Sequence, residues 1–118
     1  MNWVFQNGIP IYSQLADGIK ARIISGEYSA GSRLPSVREL AAEAGVNPNT
    51  MQRALSSLEQ DGFLHSERTT GRFVTDDMAL ISASKKELAR QKIDEFLSQM
   101  SILGFTSADI LQLIKEKG

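Results

Sequence analysis

The sequence predicts an α+β fold that is mostly α-helical, with one β-hairpin near the middle of the chain. Three observations favour this class. Apolar residues recur every three or four positions over most of the chain, which is the period of an amphipathic helix. Capping residues precede these stretches and glycines follow them, as at helix ends. Only residues 63–75 change to short β-prone runs around a polar tip, which is typical of a hairpin.

The first predicted helix covers residues 10–25 and ends at Gly26. Its apolar stripe recurs every fourth residue, at Leu15, Ile19 and Ile23, which places these side chains on one face. The following residues, 27–35, are rich in Gly, Ser and Pro. This composition predicts a loop.

A second, short helix is predicted to start at Ser36. Ser36 and Glu39 have the spacing of a capping box, in which each side chain accepts a hydrogen bond from the other residue's backbone N–H. Gly45 can take the left-handed conformation that ends the helix. Asn47 can then cap a third helix, and Pro48 fits its first position, where no N–H is needed. The predicted turn between the two helices is only three residues long.

The third helix has an apolar face and a polar face. Four apolar residues have i, i+3, i+4, i+7 spacing and are predicted to be buried: Met51, Ala54, Leu55 and Leu58. The opposite face carries Asn49, Gln52, Arg53 and Ser56. Asn and Gln can pair bidentately with adenine, and Arg with guanine. This face therefore has the chemistry to read bases in DNA.

Two predicted strands, residues 63–66 and 72–75, flank a polar tip at residues 67–71. Residues 76–118 are predicted to be helical again, with a second capping box at Thr106 and Asp109 that starts the last helix. The long apolar stripe of this segment is typical of helices that pack against a partner. Its polar face mixes acidic and basic residues, which disfavours a membrane-surface helix. The predicted dimerisation residues are Ile81, Leu88, Phe96, Leu97, Met100, Leu103, Ile110 and Ile114.

Composition excludes several classes of protein. The 118 residues fit one or at most two small domains, and they include no cysteine and one histidine, His65. Disulfides, thiolate metal sites and most zinc sites are thereby excluded. No nucleophile–base pair or carboxylate pair stands out, so we expect neither an enzyme nor a cofactor. No apolar run approaches the roughly 18 residues that cross a bilayer, and no signal peptide is evident. We therefore expect a cytoplasmic protein without membrane contact.

Helix, short helix, three-residue turn, helix and hairpin is the order of a winged helix-turn-helix. The residues themselves resemble the DNA-binding domain of the GntR family of bacterial transcription regulators, over about residues 9–75. The matching motifs are Pro-Ile-Tyr-Ser-Gln-Leu at residues 10–15, Gly-Ser-Arg-Leu-Pro-Ser-Val-Arg-Glu-Leu-Ala at 31–41, and the stretches at 45–50 and 53–62. The short two-helix tail is similar to that of the YtrA-like subfamily. The resemblance implies a DNA-binding winged helix-turn-helix at residues 1–75 and a helical dimerisation segment at 76–118.

The resemblance also implies which residues contact DNA. Arg38 corresponds to a DNA-contacting arginine of the family, and an arginine at a helix N-terminus is well placed to hold phosphate. Many family members have arginine at the positions of Pro48 and Gln52, and glycine at the position of Thr69 in the wing. The base preference of those members therefore does not transfer to this chain. The complete predicted set is Arg33, Ser36, Arg38, Asn47, Pro48, Asn49, Thr50, Gln52, Arg53, Gly71 and Arg72.

Several residues keep an alternative interpretation. Arg53 could pair with Glu43 or Glu39 of the neighbouring helix instead of contacting DNA. The cap role and the phosphate role of Asn47 compete for one side chain. His65 is expected to be structural. Trp3 and Phe5 are expected to cover an apolar edge, either near the first helix or at the dimer seam.

The sequence therefore predicts a sequence-specific transcription regulator that binds an inverted-repeat operator as a homodimer, with one winged helix in each of two major grooves. The resemblance implies a repressor that controls a transporter operon. A small-molecule effector would have room only in a crevice between protomers. The rival interpretation is a winged helix that binds proteins and not specific DNA. Net charge does not decide between them, because the total of −1 averages over faces.

Overall fold

The computed structural model describes residues 3–118 and confirms the mostly helical α+β class. The helices and strands of this part are α1 (Ile11–Ser25), α2 (Val37–Ala44), α3 (Pro48–Gln60), β1 (Leu64–Glu67), β2 (Gly71–Val74), α4 (Met78–Ile102) and α5 (Ser107–Lys117). The chain divides into two compact units, of which the first ends at Ser82 and the second runs from Ala83 to Gly118. The division therefore falls inside α4.

The helix-turn-helix forms as its capping signals predict. The Ser36 hydroxyl accepts from the backbone N–H of Glu39 over 3.1 Å, and the Glu39 carboxylate accepts from the N–H of Ser36 over 3.4 Å. Gly45 ends α2 in the left-handed conformation, at φ 70°. Asn47 caps α3 by accepting from the N–H of Asn49 over 2.7 Å, and proline follows at the first helical position. The three-residue turn thus fixes α3 against α2.

The core of the first unit is formed where α1 and α2 pack on α3. Its fully buried side chains are Leu15, Ile19, Leu40, Met51, Leu55, Leu58 and Val74. Burial of one such side chain contributes roughly 1.5–3 kcal/mol. Ile81, in the first turn of α4, belongs to the same core and is only 7% exposed. This predicted dimerisation residue therefore packs inside its own chain.

The predicted loop at residues 27–35 contributes a third extended segment to the hairpin. Leu34 donates its N–H to the carbonyl of Arg72 over 2.9 Å, and Val74 donates to the carbonyl of Ser32 over 2.8 Å. A β-bridge joins Arg33 to Phe73. Because backbone groups make these bonds, the side-chain pattern of the loop gives no sign of them. The stretch is a loop as predicted, with no helix or strand of its own, and the bridge to β2 is a feature that the sequence did not reveal.

The hairpin is antiparallel, with Leu64 opposite Val74 and Glu67 opposite Gly71. Its tip is residues 68–70, shorter than the predicted tip at residues 67–71, because both of these end residues pair. Burial explains the register, since Leu64 and Val74 are both buried and face the core. The wing is thereby anchored at its base and exposed at its tip.

The N-terminal segment lies along α1. The side chain of Gln14 accepts from the N–H of Gln6 over 2.7 Å and donates to the carbonyls of Gln6 and Ile9. Trp3 and Phe5 stack on each other and pack against the core of the first unit. The structure therefore favours the edge of α1 as the place of these two aromatic residues.

Arg22 is a charged residue inside this unit, with only 2% of its surface exposed. Its guanidinium donates to the Tyr28 hydroxyl over 2.7 Å, lies 3.3 Å from carboxylates of Glu27 and Glu43, and stacks on Trp3. Burial alone would lower the pKa of Arg22, but hydrogen bonds and charge interactions with Tyr28 and Glu43 raise it. The side chain thus joins α1, the N-terminal segment and α2.

The second unit consists of the rest of α4, a turn at Gly104 and α5. The predicted capping box forms, since Thr106 accepts from the N–H of Asp109 over 3.2 Å and Asp109 accepts in return over 2.9 Å. Ile110 is the buried apolar residue of α5. Many apolar side chains of this unit are exposed, among them Ile93, Phe96, Leu97, Ile102, Leu103, Leu111, Leu113 and Ile114. No helix in residues 3–118 is long and apolar enough to span a membrane.

Candidate nucleic-acid interface

The recognition face is the exposed side of α3 near its N-terminus. The four residues of the predicted apolar stripe, Met51, Ala54, Leu55 and Leu58, are all buried. Because a helix turns about 100° per residue, their burial directs Pro48, Asn49, Gln52 and Arg53 outwards, and all four are exposed. The structure thus collects these predicted residues on one surface, and Thr50 lies half-buried at its edge.

Arg53 is held by an aromatic ring of α1. Its guanidinium carbon lies 3.8 Å from the centroid of the Tyr12 ring, a distance at which cation–π attraction operates. The predicted alternative partners are engaged elsewhere, since Glu43 contacts Arg22 and Glu39 caps α2. The ion-pair interpretation of Arg53 was therefore wrong. Tyr12 had no predicted role at this surface. The available signal was its position in the motif at residues 10–15, at the start of α1.

A shallow cleft lies beside this stack, where the starts of α1 and α3 approach each other. It has a volume of about 500 Å³ and is lined by Pro10, Ile11, Tyr12, Asn49, Thr50 and Arg53. Polar side chains of α3 therefore face the beginning of α1 across an open surface. A sugar–phosphate chain that follows this edge would meet an arginine and two hydrogen-bonding side chains.

A second cleft separates the start of α2 from the wing and has a volume of about 470 Å³. Four of the predicted DNA-binding residues line it: Arg33, Ser36, Gly71 and Arg72. Arg68, at the wing tip, lines it too and was missed by the sequence analysis. The polar, charged composition of the tip was the sequence signal that could have identified Arg68 as a candidate. Arg38, in the first turn of α2, is also exposed.

The two roles of Asn47 are divided between its two side-chain atoms. The amide oxygen caps α3 by accepting from the N–H of Asn49. The remaining NH₂ group is a donor, and Asn47 is exposed. The cap therefore leaves a group that can reach a phosphate.

Arg72, one of the predicted DNA-binding residues, points at α3. Its Nε donates to the carboxylate of Glu59, and its Nη1 donates to Oε1 of Gln52 over 3.4 Å. The same Glu59 oxygen accepts from the Ser66 hydroxyl over 2.6 Å. Partial burial by itself would raise the pKa of Glu59, but the hydrogen bonds from Ser66 and Arg72 outweigh it and lower that pKa. Glu59 is thus an ionised partner that holds Arg72.

The electrostatics of this surface differ from those of the whole chain. Arg33, Arg38, Arg53 and Arg68 are all exposed. Among the described residues, no carboxylate lies within ion-pair distance of any of the four. By contrast, the acidic residues Glu43 and Glu59 are paired with Arg22 and Arg72. The same face also carries the exposed carboxylates of Glu39 and Glu67, the latter in the cleft beside the wing. The four arginines outweigh these two carboxylates and leave the face formed by α2, α3 and the wing locally positive.

No metal centre is evident in the described part of the chain, where no group of three or more His, Cys, Asp or Glu side chains could hold an ion. His65 lies on β1, stacks on Phe73 at 5.9 Å between ring centroids, and has its Nε2 3.7 Å from Glu67. These contacts agree with its predicted structural role.

Comparison with known proteins gives a consistent result. The family described as bacterial regulatory proteins, gntR family, matches residues 11–74. The HTH-type transcriptional regulator YhcF of Bacillus subtilis is 40% identical over 111 residues, which cover 94% of this chain and 92% of YhcF. The HTH-type transcriptional repressor YtrA of the same organism is 27% identical over 112 residues, covering 94% of this chain and 86% of YtrA.

Solved structures agree with these relatives. A GntR family transcriptional regulator from Listeria monocytogenes superposes with a TM-score of 0.84 at 38% identity, covering 95% of this chain and 98% of that one. The DNA-binding domain of AraR in complex with operator ORX1 superposes with a TM-score of 0.58 at 27% identity, covering 64% of this chain and 99% of the AraR domain.

Proposed function

Because the chain belongs to the GntR family of bacterial helix-turn-helix transcription regulators, we propose that it recognises one operator sequence through the locally positive face. The observation that carries the proposal is the geometry of α3, which buries one stripe and exposes the residues that can read bases. Its short connection to α2 and its flanking wing are those of a module that lays this helix in the major groove. The AraR domain, which has a similar fold, is bound to an operator.

Each part of the face has a distinct role in this proposal. Asn49 and Gln52 read base edges, because their amides can pair bidentately with adenine. Arg53, kept in place by Tyr12, reads an adjacent base or phosphate, and the ring of Pro48 gives an apolar contact. Phosphate contacts position the module without reading sequence, and we assign them to Arg33, Ser36, Arg38, Asn47, Thr50 and the backbone at Gly71.

We also propose that two copies bind together through residues 76–118. The exposed apolar side chains of the second unit form a patch of the kind that marks protein–protein contacts. We assign this contact to Leu88, Phe96, Leu97, Met100, Leu103 and Ile114. Ile81 and Ile110 are left out, because both are buried within the single chain. Two joined modules add their DNA contacts and set the spacing of the half-sites.

One relative supports a proposal about the sign of regulation. YtrA of Bacillus subtilis is named a transcriptional repressor, and we propose repression here too, in the cytoplasm where a bacterial chromosome lies. The resemblance to YtrA-like regulators also suggests that the regulated genes form a transporter operon.

The cleft of about 550 Å³ lined by Phe96, Met100, Ile110, Leu113 and Ile114 has the size of a small-molecule pocket. Because Phe96, Met100 and Ile114 are also assigned to the contact between copies, an effector would bind in a crevice between the two protomers. We propose, finally, that the protein acts by binding DNA and catalyses no reaction.

Selection from a random DNA pool tests the function directly. The wild-type protein should enrich one family of duplexes, and Arg38→Ala should weaken binding to them by about 1–3 kcal/mol, a loss of roughly 5- to 150-fold. The slope of affinity against salt should also become shallower. Arg90→Ala, at an exposed arginine of α4, serves as the matched control and should bind as the wild type does. If no sequence is enriched, the proposed function fails and the protein-binding alternative is favoured. If a sequence is enriched but Arg38→Ala binds unchanged, the phosphate contact assigned to Arg38 is wrong.

A further inference from the structure

The contacts of Arg72 indicate a role other than direct contact with DNA from the wing. We propose that Arg72 and Glu59 are positioning residues, which fix the side-chain amide of Gln52 so that it presents one defined edge to a base. In this arrangement Arg72 does not bind DNA itself. The inference rests on the proposed function, because it requires α3 to read bases.

The geometry joins three elements in one network. Glu59 of α3 accepts from both Ser66 of β1 and Arg72 of β2. Arg72 then reaches Gln52, two turns before Glu59 on α3, through Nη1. The Nε2 of Gln52 donates to the hydroxyl of Ser56 over 3.4 Å. Both ends of the Gln52 amide therefore have a partner within the chain.

These partners determine which way the amide faces. An exposed glutamine can exchange its oxygen and nitrogen by rotating the terminal group, and the two orientations offer opposite patterns to a base. A guanidinium only donates hydrogen bonds, so Arg72 favours the orientation that directs Oε1 towards it. Adenine presents its N6 amino group as a donor and its N7 as an acceptor, so the glutamine oxygen must face N6 and the glutamine nitrogen must face N7. The fixed amide of Gln52 would therefore bind adenine without first losing rotational freedom.

Two further features of the structure indicate that Arg72 does not contact a phosphate. Its backbone is held on both sides, because its carbonyl accepts from Leu34 and it pairs with Ser66 across the hairpin. The side chain is only 18% exposed and is neutralised by Glu59. Movement of the guanidinium to a phosphate would leave the Glu59 carboxylate unpaired near a polyanion, which costs electrostatic energy.

A double-mutant cycle tests the inference on a duplex selected by the wild-type protein. Gln52→Ala, Arg72→Gln and the double variant are titrated with this duplex and with a set that changes one base pair at a time, at several salt concentrations. We expect Arg72→Gln to weaken binding about 5- to 10-fold and to flatten the preference at the same base pair as Gln52→Ala. The double variant should lose no more than Gln52→Ala alone, as for residues that act as a unit. The salt slope should not change.

Arg72→Lys separates this role from a simple charge effect, because lysine keeps the charge but lacks the fork that spans Glu59 and Gln52. It should flatten the same base preference while its melting temperature stays that of the wild type, which checks that the fold is retained. A phosphate role predicts instead that Arg72→Lys binds normally, while Arg72→Gln lowers the salt slope by about 0.9 and weakens all duplexes equally. That outcome, or additive losses in the cycle, would overturn the inference.

If Gln52→Ala changes no base preference while Arg38→Ala still weakens binding, the inference fails and the proposed function stands. If no duplex is selected, the proposed function fails.

Discussion

At the scale of single residues, function depends on which basic side chains the fold leaves exposed. Residues 1–75 contain seven Lys and Arg and seven Asp and Glu. Three of the basic side chains are used within the fold: Lys20 lies over Phe63, Arg22 is buried, and Arg72 is paired with Glu59. The four remaining arginines lie on the face formed by α2, α3 and the wing. A chain with net charge −1 can thus present a positive surface to DNA.

The pairing of Glu59 with Arg72 makes stability depend on pH. Because the folded state lowers the pKa of Glu59 below its usual 4.5, the stabilisation is present above the unfolded pKa and is lost as pH falls through the folded pKa. Glu59→Gln should therefore lower the free energy of unfolding by about 1 kcal/mol at neutral pH and by much less in acid. Urea denaturation at pH 7 and near pH 3 measures this. Glu95→Gln, at an exposed carboxylate of α4, should show no such difference, and an equal loss at both pH values would contradict the assigned pairing.

The sequence predicted the caps of this chain well and the partners of its charged residues poorly. A cap joins residues three positions apart, such as Ser36 and Glu39, so spacing alone reveals it. The carboxylate that pairs with Arg72 is 13 positions away in the sequence, and Glu43, one of the partners of Arg22, is 21 positions away. Such residues come together only in the folded chain. The exposed residues of α3 could be predicted, because helical periodicity determines its buried face.

At the scale of elements, the wing is shaped by backbone contacts that the composition does not reveal. The segment at residues 31–34 pairs with β2, yet its Gly, Ser and Pro content predicted only a loop. Gly71 opens β2 at φ 113°, outside the range that other residues readily adopt. A Cβ at this position would also lie 3.0 Å from Nε of Arg33. Both the hairpin and the cleft beside it therefore depend on this glycine.

Gly71→Ala should destabilise the first unit. The strained backbone costs on the order of 1–3 kcal/mol, and the displaced Arg33 side chain adds to the loss. Thermal unfolding should show a lower Tm, with the neighbouring Thr70→Ala as the control that changes little. An unchanged Tm for Gly71→Ala would mean that the wing adopts another conformation.

Contact of the N-terminal segment with α1 can be tested through the single tryptophan of the chain. A Cβ at Gly18 would overlap the Trp3 ring, although alanine normally favours a helix by about 1 kcal/mol relative to glycine. Gly18→Ala should therefore expose Trp3 and shift its fluorescence emission to longer wavelength. Ala21→Ser, at an exposed position of α1, should leave the emission unchanged. The same emission in Gly18→Ala as in the wild type would contradict the described packing.

At the scale of the whole molecule, the chain combines a winged helix-turn-helix unit with a second unit, residues 83–118, in which many apolar side chains are exposed. Apolar periodicity predicted α4 and α5, but it did not distinguish residues that pack inside the chain from those that stay exposed. Ile81 illustrates this, because it shares the stripe of α4 yet lies in the core of the first unit. A truncation after Thr75 would remove Ile81, so single substitutions test dimerisation more cleanly.

Leu103→Glu should convert the proposed dimer to a monomer. Leu103 is 70% exposed in the single chain, so the substitution leaves the fold of one copy intact and places a charge in the contact between copies. Sedimentation should show half the mass of the wild type, with weaker operator binding. Gln91→Glu, which adds the same charge at an exposed polar position, should remain dimeric. A dimeric Leu103→Glu, or a monomeric wild type, would refute the assigned contact.

Hydroxyl-radical footprinting of the wild-type protein on its selected duplex tests the central claim most directly. The account predicts two protected patches related by two-fold symmetry, with half-site centres one helical turn of about 10 base pairs, or a multiple of it, apart. Arg38→Ala should weaken both patches together. A single patch would contradict the dimeric arrangement, and protection without sequence preference would contradict base reading by α3.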